Sequence, residues 1–254
     1  MLRLGGANTF TGEIEINEGS LLVDGPQSLG AIGNEITVAS GAELDANGKL
    51  TSNRDYHVTI AGTGQQGLGA IIDSSFTTNV SGFRSLTLSA NATIGGYGRF
   101  DIRPITAGEG LVDLAGHTLT KSGTNLVGLI NGTITDGGTI DINEGTLAFT
   151  RMTAGNVGTV NVAPGATMRF ENYTSGSFGR TINLNGGRLH HMGDNFAAAS
   201  NVVLDNGNID VDGTRTLTLQ GTVSGQELLK SGAGVLTLAA ANTYTRTTTI
   251  NSGE

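Results

Sequence analysis

Apolar residues in this chain come in pairs separated by one polar residue, and the pairs recur. Ile14-x-Ile16 precedes Gly19, Ile36-x-Val38 precedes Gly41, and Ile140-x-Ile142 precedes Gly145. Val160-x-Val162 precedes Gly165, Ile182-x-Leu184 precedes Gly187, and Val202-x-Leu204 precedes Gly207. Leu86-x-Leu88 before Asn91 is a further copy, with Asn where the others have Gly. Alternation of this kind is the mark of a β-strand with one buried face. Gly and Asn are the residues that best tolerate a left-handed turn, so the pattern predicts a strand, a tight turn and a second strand. Asn91 is expected to hold the same turn as the glycines.

The spacing carries the argument to a fold. Gly19 to Gly41 is 22 residues, and the steps from Gly145 through Gly165 and Gly187 to Gly207 are 20, 22 and 20. That period fits one coil of an all-β, right-handed parallel β-helix, a single-stranded β-solenoid; leucine-rich repeats of similar length need a helical segment and denser leucine. The best helical window, residues 195–203, is short. About 11 or 12 coils at about 4.8 Å each make a rod on the order of 55 Å long. Between Gly62 and Asn131 the intervals lengthen, which reads as coils with longer side loops. With no Pro- or Ser-rich linker, residues 1–254 form one repeat domain, expected to be a stretch of a longer array.

Composition agrees. There are 41 Gly, 3 Pro and no Cys or Trp in 254 residues, and charged residues make up 14%. A formal charge of -8, with Lys and Arg scattered singly, excludes a nucleic-acid partner, which requires concentrated basic residues. No apolar run approaches the ~18 residues of a membrane helix, so no membrane insertion is expected of this segment. Nothing after Met1 reads as a signal peptide.

The two ends repeat each other. Leu2 to Gly19 and Leu236 to Gly253 share nine of 18 positions, and Ile14 to Leu21 matches Ile140 to Leu147. The C-terminal copy carries Lys230, Gly232, Gly234, Leu236, Leu238, Asn242, Thr243, Tyr244, Thr245, Ile250 and Gly253. The N-terminal one carries Asn8, Thr9, Phe10, Thr11, Gly12, Ile16 and Gly19. This motif resembles the autotransporter-associated β-strand repeat (passenger-associated transport repeat) of type V secretion passengers. Residues 92–102 and 114–122 are similar to the same kind of bacterial repeat protein. The sequence departs at Arg246, where the family has Gly, so an altered turn is expected there. The resemblance implies a stalk or passenger segment of a secreted or outer-membrane surface protein, with flanking repeats or domains as partners and an adhesive role as its extension.

Many β-helices act on polysaccharides, so clustered charges are the candidates for a lyase or glycosidase site. Asp210 and Asp212 share a strand face, Asp205 could neighbour them and Arg215 follows. Lyase chemistry would need acidic residues holding Ca²⁺ beside a basic residue; solvated turn residues are the plainer reading. Arg99, Asp101 and Arg103 alternate on one face, read as a surface ion-pair ladder before a sugar site. His190 and His191 point to opposite faces and cannot easily share a metal, and His57 and His117 are isolated. Thr216-x-Thr218 and Thr247-x-Thr249 do not recur as an ice-binding array. Tyr56, Tyr97, Tyr173 and Tyr244 are too dispersed for a sugar platform. The sequence therefore assigns no catalytic, cofactor or metal residue and no cofactor, and it reads as a non-enzyme; an adhesin would take a glycan or host-surface ligand.

Overall fold

Alternating strands too short to bury their own apolar face must stack, and they do. In a computed structural model of the chain, residues 1–50, 55–104, 106, 110–135, 137–155, 158–173 and 178–253 are described, without the side chains of 79–81. The chain winds as a parallel β-solenoid of about 11 turns. Among the described residues there is no helix, so none is long and apolar enough to cross a membrane. The expected helical window is instead strand: Phe196 and Ala198 point inward from Phe196–Ala198, which pairs with Thr216–Leu219.

The core consists of columns of side chains, one per coil. Ile14 stacks on Ile36, then Val58, Leu86, Val112, Ile134 and Ala154. A second column runs Leu119, Ile140, Val160, Ile182, Val202 and Val223. On another face, Phe100, Val127, Leu147, Met168, Leu189 and Ile209 stand in register. Burying such side chains contributes about 1.5–3 kcal/mol each, but only once a neighbouring coil covers them.

The seven motif copies do not form one column. Those at 14–16, 36–38 and 86–88 lie in the first, and those at 140–142, 160–162, 182–184 and 202–204 in the second. The switch occurs at the 12-residue strand Ser85–Gly96. Its first part pairs with His57–Gly62 and Gly110–Asp113, and its last part with Ile71–Asp73 and Thr118–Lys121. One strand long enough to belong to two faces lets the repeat change face without breaking the stack. Through 62–131 the coiling continues, although 105 and 107–109 lie outside the described residues.

The turn residue needs correction at three copies. Gly19, Gly41, Gly145 and Gly165 have φ of 78°, 86°, 64° and 80°. Asn91 is not left-handed: it lies within the long strand, and its Oδ1 accepts the Thr118 N–H at 3.0 Å. At the last two copies the left-handed residue comes one place earlier, at Gly186 and Asn206. Gly187 and Gly207 are instead held by crowding, since an added Cβ would meet Val162 Cγ1 at 2.5 Å and Leu184 Cβ at 2.3 Å.

Two lysines occupy inward positions. Lys121 stands between Ile94 and Ile142, and Lys230 between Ile209 and Ile250. Each is buried, and each ammonium donates to three backbone carbonyls.

Candidate functional site

The strand Arg99–Ile102 turns Phe100 and Ile102 into the core and Arg99 and Asp101 away from it. Asp101 is nevertheless fully buried, because its register neighbours on either side are Gly82 and Gly128. A Cβ on Gly128 would stand 2.4 Å from Asp101 Oδ1, so the glycine makes room for the carboxylate. Arg99 Nε donates to Oδ1 at 3.0 Å and Arg103 Nη2 to Oδ2 at 3.0 Å. Burial pushes the Asp101 carboxyl above its ordinary value, against the two guanidiniums. The expected surface ladder is thus a clamp within one strand around a buried acid.

Beside this clamp lies a groove of about 400 Å³ lined by Arg99, Arg103, Ile130, Asn131, Thr150, Arg151, Glu171 and Asn172. Ile130, Thr150 and Glu171 are in register on three successive coils. The residue after each turns the chain in a left-handed conformation: Asn131 at 56°, Arg151 at 50° and Asn172 at 46°. Asn is the ordinary choice there; Arg151 is not, and its Nε donates to the Asn172 carbonyl at 3.2 Å. Arg169 pairs with Glu171 on the groove wall. The lining offers three guanidiniums, two amides and a hydroxyl beside Ile130 and the Arg169-paired Glu171 carboxylate, a set that can hold a polar or anionic ligand.

A second cluster lies further along the same face. His190 and Asp210 are in register, and His190 Nε2 is 3.1 Å from Asp212 Oδ1. Ligand atoms of His190, Asp210 and Asp212 fall within 4.8 Å of one another. Arg188 pairs with Asp210, so a guanidinium already supplies the positive charge there. His191 points inward and is fully buried, and burial lowers its pKa. The other charges do not converge. Asp205 sits on a different face and accepts the Gln226 amide at 2.6 Å, while Arg215 lies 3.5 Å from Asp194. Five strand steps separate Asp101 from Asp210, about 24 Å.

The remaining candidates are placed as follows. His57 Nδ1 meets Ser85 Oγ at 2.7 Å, and His117 is half-buried apart from both clusters. Thr218 has Ala197 and Thr237 beside it, and Thr249 has Leu229, which is no threonine array. Tyr56 and Tyr173 are buried, and Tyr244 packs against the core while accepting from Thr248. Tyr97 is exposed and stacks on exposed Phe76, with centroids 5.4 Å apart. Sequence reasoning missed this pair, since Phe76 and Tyr97 meet only across coils. It missed the groove for the same reason.

The ends of the chain decide its kinship. A model of the passenger-associated-transport-repeat matches residues 1–23 and 228–254. The chain carries passenger-associated-transport repeats. It is also 30% identical over 248 residues to the Adhesin BmaC autotransporter of Brucella suis biovar 1 (strain 1330), a match covering 93% of this chain. The chain spans 6% of that protein's length. No solved structure matches it.

The structure gives the repeat's signature a physical meaning. Lys230 donates to the carbonyls of Ser231, Gly232 and Ser252, and Gly232 and Gly253 are left-handed. A Cβ on Gly253 would press on Gly234 O at 2.4 Å and on Lys230 Nζ at 2.8 Å. Asn242 accepts from Val223 N–H and donates to Ala240 O, each at 2.8 Å. At Arg246 the expected alteration is absent. Its counterpart Gly12 has no left-handed φ and no atom within 4 Å of an added Cβ, so the repeat accepts a large side chain there.

Proposed function

We propose that this chain is a structural passenger segment of a bacterial protein displayed at the outer surface, and that it acts by spacing and adhesion rather than by catalysis. The observation that carries the reading is the stack itself: core columns run from coil to coil while polar side chains vary on the outside. The adhesin autotransporter resemblance supports the same reading. Of the charges that a polysaccharide lyase could use, Asp205 lies on a different face and Asp101 about 24 Å from Asp210, while Asp210, which gathers with Asp212 and His190, is already paired with Arg188. Flanking repeats of the parent protein and a glycan or host-surface ligand are its partners.

The test uses fluorescently labelled chain on host cells and immobilised glycans. Saturable binding, competed by unlabelled chain, is expected. Linear, non-saturable uptake on every surface would remove the adhesive part, and turnover of polysaccharide at enzyme-like rates would overturn the reading as a whole.

A further inference from the structure

We propose that the groove beside Arg99, Arg103 and Arg151 binds an acidic oligosaccharide, one whose rings carry carboxylate or sulfate groups. This rests on the adhesive reading above and names its ligand class.

Charge is the first argument. Arg99, Arg103 and Arg151 line the groove with Glu171, and behind them Asp101 pairs with Arg99 and Arg103 and Arg169 pairs with Glu171, which leaves two positive charges over the whole group. The whole chain carries -8. A local cationic groove on an acidic rod concentrates anions where the remaining surface repels them. Guanidiniums are planar forks that match carboxylate and sulfate oxygens in pairs.

The rest of the lining separates a sugar from other anions. Besides the arginines, Ile130 and the Glu171 carboxylate that Arg169 neutralises, the wall is the amides of Asn131 and Asn172 and the hydroxyl of Thr150, which donate to and accept from ring hydroxyls. An apolar peptide would find almost nothing to cover. A groove of about 400 Å³ falls within the ordinary range of small-ligand sites.

Calorimetric titration of the full chain tests this. The probes are oligogalacturonate, a heparin oligosaccharide, a sialylated oligosaccharide, a neutral galactose oligomer of matched length, and sodium sulfate. At least one acidic oligosaccharide is expected to bind tenfold or more tightly than the neutral oligomer, and sulfate alone not to compete at equal charge. Arg151→Asn keeps a residue suited to the left-handed backbone, as at Asn131 and Asn172, and is expected to weaken binding at least tenfold with an unchanged melting transition. No binding by any acidic probe, equal binding of acidic and neutral probes, or full affinity in Arg151→Asn would overturn the proposal. If cell binding persists while these fail, the adhesive reading stands and only the groove is wrong.

Discussion

Lys121 and Lys230 make the same cap on different faces of the solenoid. Lys121 donates to Ser122 O, Gly123 O and Glu144 O, at 2.7, 2.8 and 3.2 Å. Lys230 donates to Ser231 O, Gly232 O and Ser252 O, at 2.8, 2.8 and 3.1 Å. In both, Lys-Ser-Gly ends an inward-facing strand position and the ammonium ties its own turn to a carbonyl of the next coil. The repeat's lysine is a coil-to-coil tie built from one side chain.

This tie sets a pH dependence. Burial pushes Lys121 down to about 7, more strongly than the Glu144 carboxylate raises it. Between about 7 and the ordinary 10.5 the unfolded chain holds more protons than the folded one, so stability rises with pH across that window. Urea midpoints at pH 6.5, 8.5 and 10 read this. Lys121→Met is expected to flatten the rise, leaving the part that Lys230, also lowered by burial, contributes, and parallel pH curves for the two proteins would contradict the assignment.

Asp101 predicts a second outcome. Asp101→Ala strips the acid from between two guanidiniums and is expected to destabilise by about 3 kcal/mol, the lower end for breaking a buried pair because both arginines are partly exposed. Gly128→Ala, which crowds the same carboxylate without removing it, is expected to destabilise as well. A midpoint unchanged in both variants would show that the clamp is not formed.

The repeat's two conspicuous glycine positions differ in kind. Arg246→Gly is expected to change stability by less than about 0.5 kcal/mol, as an exposed site away from any close contact. Gly253→Ala, at φ 77° and against two carbonyls, is expected to cost more than about 1 kcal/mol. Thermal melts of both variants check the contrast, which equal losses would erase.

Strands were legible because alternation is a local property, and the turns because Gly19, Gly41, Gly145 and Gly165 need a left-handed φ. Lys121 was legible in principle, since it falls two residues after inward Leu119. The face switch was not. Which strand Leu86 or Leu119 stacks upon is a nonlocal choice, visible only where Ser85–Gly96 meets four partners. Likewise Asp101 looks exposed by its own alternation and becomes buried through Gly82 and Gly128. The groove assembles residues about one coil apart, such as Asn131, Arg151 and Asn172, that no motif joins.

Open strand edges predict association. Leu2–Leu4 and Thr248–Ile250 each pair with a single neighbour, and Leu2 and Ile250 are exposed. Unpaired edges are templates for further strands. Light scattering is expected to show concentration-dependent growth of the purified chain; a strict monomer at high concentration would contradict it.

Binding without catalysis is the central property proposed for this chain. Its most direct test captures an acidic polysaccharide of defined length on the immobilised chain and reads that length after elution. The account predicts retention with length unchanged after prolonged incubation. Recovery of shortened chains, absent from a buffer control, would contradict it.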